Sequence, residues 1–294
     1  MNLNYIVKKS DESIKQILKN EFNMSDRFIL KLKNQKSIFL NDISVSINTK
    51  IIENDVLKIV ENFEEDSSNI LSNPNISLNI LFEDEFLLIV DKPAGIPVHP
   101  SILHYEDSLS NGVKYYFEKI GLKKKIRPVN RLDKDTSGIV IFAKNEYIQE
   151  CLIKQMKLGT FKKTYIAVLD GILEKASGTI NAPIARKDNS IIEREVRDDG
   201  EVAISHFEVL QRLKNITVVL FTLETGRTHQ LRVHSKYIGH PIIGDSLYGK
   251  SSDLISRQAL HATKVEFIHP ISKEKLVINS ACPDDIKRVL LWIC

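Results

Sequence analysis

The chain has 294 residues, of which 27% are charged and 43% hydrophobic, and its net charge is +3. That length buries a sizeable core and holds one large or two unequal domains. The composition is that of an ordinary globular protein, no run approaches the roughly 18 apolar residues of a spanning helix, and a charge this small does not by itself identify a nucleic-acid partner. The start, MNLNYIVKKSDES, has no apolar signal core. Cys151, Cys282 and Cys294 are odd in number and far apart, so they read as free thiols in a cytoplasmic protein.

Residues 1–60 read as a small α+β module. Ile14, Ile17 and Leu18 line one face of a helix, and Ser25 caps a second in which Ile29, Leu30 and Leu32 are apolar while Arg27, Lys31, Lys33 and Lys36 are basic. A short apolar run at 38–40, a turn at Asn41-Asp42 and a strand at 56–60 complete it. Residues 61–76 are acidic first (Glu61, Glu64, Glu65, Asp66) and then rich in Ser and Asn, which predicts a flexible linker and a poor RNA surface. From 77 to 294, short strands at 86–90, 139–143, 165–169, 217–223 and 276–278 alternate with few long helices. Their irregular spacing predicts an α+β domain on a mixed, largely antiparallel β-sheet rather than regular βαβ units. Trp292 reads as a packing residue.

Two segments of this larger region carry chemistry. Residues 128–144, PVNRLDKDTSGIVIFAK, set the carboxylate of Asp133 between Arg131 and the turn-prone Thr136-Ser137-Gly138, just ahead of a β-branched strand. An isolated Asp commonly turns or caps the chain, but loops braced on a rigid scaffold are also where catalytic groups are held. Residues 226–234, GRTHQLRVH, follow the strand at 217–223. Thr228 is the expected N-cap, Leu231, His234 and Ile238 recur at helical spacing, Gly239 closes the helix and Pro241 forbids its continuation. Arg227 then sits just before a helix N-terminus, where it can pair with Asp133.

Lys123, Lys124, Lys125, Arg127, Arg131 and Lys134 crowd the approach to Asp133, a density suited to phosphate contacts. His229 and His234 are five apart and share no helix face, and no cysteine or carboxylate completes a site with them and His240, so no metal is expected. Neither a Walker A motif nor a dinucleotide fingerprint is present, and no cofactor is expected.

Together the two segments closely resemble the RluA-type pseudouridine synthases. In that family an R-L-D-x-x-[TS]-[SG] stretch carries the essential aspartate, and G-R-x-H-Q-[LI]-R carries an arginine that pairs with it. The resemblance continues in the family's order through Asp91-Lys92-Pro93-Ala94-Gly95, Pro97-Val98-His99-Pro100, Lys163-Thr164-Tyr165, Gly239-His240-Pro241, Gly244-Asp245-Ser246-Leu247-Tyr248-Gly249 and Ala259-Leu260-His261-Ala262. One departure is Asn130, where many members carry His, and altered loop or RNA contacts are expected from it.

The resemblance implies a catalytic domain with a central cleft, preceded by an S4-like RNA-binding domain at 1–60. It implies a monomeric RNA pseudouridine synthase that needs no cofactor, with ribosomal RNA of the large subunit favoured as substrate and transfer RNA left open. Asp133 is the implied catalytic carboxylate and Arg227 its ionic partner, which favours the charged form. Arg131 would fill the space left by a flipped uridine, Tyr165 would meet the uracil with its ring and hydroxyl, and Leu231 would wall the pocket. Arg27, Lys31, Lys123, Lys124, Lys125 and Arg127 are the implied RNA contacts. Whether Asp133 attacks the sugar, attacks the base or removes a sugar proton stays open. A vestigial, purely RNA-binding protein is opposed by intact Asp133, Tyr165 and Arg227, and a hydrolase would usually employ two carboxylates.

Overall fold

The computed structural model describes residues 1–10, 12–65 and 69–293, the last three as backbone. The packing of Trp292, the Cys294 thiol and residues 66–68 of the expected linker lie outside the described residues.

Residues 1–60 contain β1 (Asn2–Ile6), α1 (Ile14–Asn20), α2 (Asp26–Asn34), β2 (Ile38–Leu40), β3 (Ile43–Ser44) and β4 (Val56–Val60). The strands form one antiparallel sheet in the order β1-β4-β2-β3. Ser13 and Gln16 cap α1 reciprocally, and the Ser25 hydroxyl accepts the Phe28 N–H at 3.3 Å to cap α2. Asn41 and Asp42 both have positive φ, 50° and 64°, the turn that matches the twist of a two-residue hairpin. On α2 the buried face is Phe28, Ile29 and Leu32, whereas Leu30, one residue round the helix from Ile29, points into solvent.

The rest of the chain adds β5 (Asn79–Glu83), β6 (Leu87–Lys92), α3 (Leu109–Lys119), β7 (Ser137–Ala143), α4 (Glu146–Lys157), β8 (Lys162–Asp170) and β9 (Ser177–Asn181). It continues with β10 (Ile184–Arg186), β11 (Arg194–Val196), β12 (Ile204–Leu213), β13 (Ile216–Leu223), α5 (Gln230–Tyr237), β14 (Leu260–Ile268), β15 (Lys275–Asn279) and α6 (Asp284–Ile293). Nine strands make one sheet in the order β5-β6-β7-β14-β8-β13-β12-β9, with β15 also pairing β14. Among the described residues, only β7 and β14 run parallel. The expected mixed, largely antiparallel α+β architecture is therefore the observed one.

Along β7 the side chains alternate between two cores, as a strand's period of two requires. Val140 and Phe142 join a core with α3 and α6, while Ile139, Ile141 and Ala143 join one with α4. The second core runs on into residues 1–60 without a break. Phe28 stacks on Tyr147 of α4 with centroids 5.7 Å apart, and the Tyr147 hydroxyl donates to the Phe22 carbonyl at 3.0 Å.

The start of the expected linker is also docked, contrary to the sequence expectation. Glu61 and Phe63 are buried, the Glu65 N–H donates to the Lys123 carbonyl at 2.9 Å, and the Glu65 carboxylate accepts both Arg127 NH1 and NH2, at 2.6 and 2.8 Å. Composition alone suggested a solvated tether, but these acids meet a basic partner segment that is distant in sequence.

Candidate active site

The loop between residues 128 and 136 is pinned to the sheet residue by residue. Val129 N–H donates to the Ile141 carbonyl, and the buried Asn130 side chain bridges β7 by donating to the Ile139 carbonyl and accepting from Ile141 N–H, both at 2.9 Å. The departure at Asn130 is thus a loop anchor, and a short amide suits it because both of its ends meet backbone. Beyond Asp133, the Lys134 carbonyl accepts Gly95 N–H and Lys92 Nζ, the Asp135 carbonyl accepts Arg257, and the Thr136 hydroxyl accepts Gln258. Lys92 is fully buried and its Nζ donates to the carbonyls of Pro93, Ile96 and Lys134 at 2.8 Å each. Burial pushes its pKa down to about 7, against the pull of Asp135 and Asp133.

Gly138 sets where this loop leaves the sheet. Its φ is +116°, and a Cβ there would lie 2.3 Å from the Ala262 carbonyl oxygen of β14. The close pairing of β7 with β14 at Gly138 therefore admits no side chain, at the residue where the loop 128–136 enters the sheet.

Asp133 opens into a cleft of about 650 Å³, within the range of small-molecule sites. Arg131, Tyr165, Arg227 and Leu231 line the same cleft, together with His99, Lys163, His229 and Arg232. Tyr165 and Leu231 are buried in its wall. Burial and the charge of Asp133 push the Tyr165 hydroxyl above its usual pKa, so it is a phenol and a proton donor. Arg131 is exposed and makes no hydrogen bond among the described residues. Burial, then the nearby Arg131 charge, lower the pKa of His99, and burial alone lowers that of Lys163.

The ionic partner of Asp133 is Arg232 and not Arg227. Arg232 NH1 lies 3.3 Å from Asp133 Oδ2, while its Nε and NH2 make a fork to Asp245 at 2.7 and 2.9 Å. Arg227 instead donates Nε to the Val202 carbonyl at 3.0 Å and NH1 to Glu201 at 2.5 Å. The reason is local. α5 begins one residue later than Thr228 predicts, with His229 at its N-cap in left-handed geometry and the Gln230 amide oxygen accepting Arg227 N–H at 2.9 Å. Arg227 is thus held on the outer side of the turn. Arg232, inside the first turn, leans back over the helix N-terminus toward Asp133. The same G-R-T-H-Q-L-R string holds both arginines, so the signal was present and helical direction decides between them.

The three histidines hold separate places. His234 meets Ser205 and the Ala182 carbonyl, His240 meets the Asp170 carbonyl, and His229 lies between Tyr248 and Asp133.

Three of the six expected basic RNA contacts are engaged within the chain. Lys31 pairs with Glu65 at 2.9 Å, Lys124 with Glu61 at 2.5 Å, and Arg127 with Glu65, and none of residues 123–127 lines the cleft. Burial raises the pKa of Glu65, but hydrogen bonds from Arg127 and Lys31 outweigh it and hold the carboxyl below its usual range. Arg27 and Lys123 make only exposed pairs, with Glu146 and Glu64, and Lys125 is exposed.

Comparison with known proteins identifies the family of the catalytic region. Residues 86–237 match the model of the RNA pseudouridylate synthase family, a span that contains Asp133, Tyr165 and Arg232. The chain is 38% identical over 284 residues to the "Uncharacterized RNA pseudouridine synthase YhcT" of Bacillus subtilis, covering 96% of this chain and 93% of that one. It is 36% identical over 230 residues to the "Ribosomal large subunit pseudouridine synthase D" of Xanthomonas campestris, covering 74% of this chain and 69% of that one. Among solved structures, human RNA Pseudouridylate Synthase Domain Containing 1 superposes with a TM-score of 0.59 at 25% identity, over 71% of this chain and 86% of its own. With the match to the family's model taking in more than half of it, the chain belongs to the RNA pseudouridine synthases.

Proposed function

We propose that this enzyme converts uridine to pseudouridine in large-subunit ribosomal RNA, on a nucleotide flipped out of its stack, with Asp133 as the acting carboxylate. The observation that carries this reading is Asp133 itself: a braced carboxylate, paired to Arg232, opening into a cleft walled by Tyr165 and Leu231 with an unpaired Arg131 beside it.

The reaction breaks the N1 to C1′ bond, turns the uracil, joins carbon 5 to C1′ and releases the carbon 5 proton, while the freed N1 takes up a proton. The composition of the base is therefore unchanged. Extracting the nucleotide costs about a few kcal/mol, and the Arg131 guanidinium can stack in the vacated space or hold a phosphate. Asp133 acts near the anomeric carbon. Tyr165 offers a ring face to the uracil and, as a phenol, an O–H near carbon 5. Leu231 excludes water from that side. Residues 1–60 serve as an S4-like RNA-binding unit, for which the exposed Arg27 remains available, along with Lys123 and Lys125 on the catalytic side. The ribosomal target is supported by relatives named for the large ribosomal subunit, and such a substrate puts the enzyme in the cytoplasm.

Large-subunit ribosomal RNA transcripts carrying uridine tritiated at carbon 5 test this reading. Tritium release with an intact chain, lost in Asp133→Asn, is the expected result. Free uracil would mean hydrolysis, and no release from any transcript would leave binding alone.

A further inference from the structure

The turn formed by residues 244–249 does not line the cleft, yet two of its side chains reach the groups that flank Asp133. Asp245 is buried, forks onto Arg232 and also accepts the Leu247 and Tyr248 N–H groups at 3.1 Å each, which closes the turn on itself. Tyr248 is buried, with its ring face 5.0 Å from the Arg232 guanidinium carbon and its hydroxyl 2.8 Å from His229 Nδ1. From the other side, the same hydroxyl oxygen accepts the Arg194 N–H at 2.8 Å.

This arrangement favours one imidazole tautomer. The phenol oxygen accepts from Arg194, and the acceptor within reach of its own proton is the His229 Nδ1 lone pair. A neutral imidazole that accepts at Nδ1 carries its proton on Nε2. Nε2 is the atom 4.0 Å from Asp133 Oδ1, the oxygen that Arg232 leaves uncovered. His229 is also held in place by its backbone, at φ 57° and ψ 18°, a conformation that a residue other than Gly keeps only when its surroundings impose it.

We propose that His229 is a positioning residue for Asp133, presenting Nε2–H to Oδ1, and that the Tyr248 hydroxyl fixes the tautomer that makes this possible. The proposal rests on the reading of Asp133 as the acting carboxylate. Each carboxylate oxygen then has its own guide, a charged one on Oδ2 and a neutral one beside Oδ1. At 4.0 Å the second contact is longer than a hydrogen bond, so Oδ1 keeps its lone pairs open to the cleft until substrate arrives. The ionisable groups around His229 are Asp133, Arg232, Arg194, Asp245 and Tyr248, with Lys236 across the Tyr248 ring. Burial first, and then the two arginines, hold the imidazole below its ordinary pKa despite the two carboxylates.

Nitrogen NMR of the intact protein labelled with ¹⁵N-histidine reads the tautomer without any RNA, with the His229 signals identified by their loss in His229→Gln. A neutral ring protonated at Nε2 is expected at pH 7, with its Nε2 signal displaced in Asp133→Asn. A proton on Nδ1, or an Nε2 signal indifferent to Asp133→Asn, would overturn the proposal. Tyr248→Phe keeps the ring over Arg232 and removes only the hydroxyl. In tritium release from the ribosomal transcripts, it should lower kcat about tenfold, the worth of one hydrogen bond, while leaving KM unchanged. It should also move the acid limb of the pH profile to higher pH, because the freed Nδ1 now takes a proton. Adding His229→Gln, whose amide does not titrate, should abolish that shift of the limb. Unchanged kcat and limb in Tyr248→Phe would sink the idea. A wild-type enzyme that releases no tritium would refute the ribosomal reading instead, with the tautomer still decided by NMR.

Discussion

At the scale of single residues, the site is a carboxylate held by one arginine. Arg232 is buried and binds two acids at once, whereas the Arg227–Glu201 pair is largely exposed and contributes little. Breaking a buried pair costs about 3–5 kcal/mol of stability, and because Arg232→Ala also leaves Asp133 without its charged partner, it should lower the rate of tritium release by on the order of 100-fold or more. Arg227→Ala should stay within about fivefold of wild type, as the small worth of an exposed pair implies.

Lys92 acts on the same loop from beneath. Three carbonyl acceptors require three N–H groups, which only the ammonium form supplies. With a folded pKa of about 7 against an ordinary 10.5, the native state binds fewer protons than the unfolded chain between those values. Stability from this group therefore rises with pH across that window, while the neutral amine gives up one of its three bonds to the Asp133 loop. Activity measured beside thermal stability should thus fall on the basic side as stability rises, and Lys92→Met should remove this divergence.

At the scale of elements, the close parallel pairing of β7 with β14 anchors the end of the loop that carries Asp133. Gly138→Ala would set a Cβ against the Ala262 carbonyl oxygen at a positive φ, which should cost roughly 2–6 kcal/mol from strain and overpacking together. Denaturant unfolding measures that loss, and the surviving folded fraction should also turn over slowly because Asp133 is displaced with the loop.

At the scale of the whole molecule, residues 1–60 share a core with α4, and Glu65 ties Lys31 of α2 to Arg127 while Glu61 pairs with Lys124. Phe28→Ala should therefore cost about 3–5 kcal/mol and lower the melting temperature of the catalytic region too. The folded pKa of Glu65 lies below its ordinary 4.5, so its contribution is fully present above 4.5 and is lost as pH falls through the lowered value. Acidification should loosen this contact before the sheet unfolds, which hydrogen exchange along α2 and α4 would reveal. The same pairs bear on RNA binding. Arg127→Ala should leave the salt dependence of RNA affinity nearly unchanged because its charge is already matched, whereas Arg131→Ala should reduce the slope by about 1.

Much of this protein is legible in its sequence because the governing interactions are local. The 56–60 strand, the Asn41-Asp42 turn, the Ser25 cap, the Gly239 helix end and the fully apolar strand at 139–143 all follow from side-chain pattern and backbone preference. The family of the catalytic region follows from its ordered motifs. What the sequence could not decide was pairing between distant segments. Which of two arginines reaches Asp133 depends on where α5 starts and how it leans. Whether 123–127 faces RNA depends on acids some sixty residues away, and β14 reads as central only once β7 pairs with it at Gly138. The tautomer of His229 depends on Tyr248 and Arg194, on other elements altogether. Charges and hydrogen-bonding groups carry no address in the chain; their partners are chosen only when the sheet closes and brings them within reach.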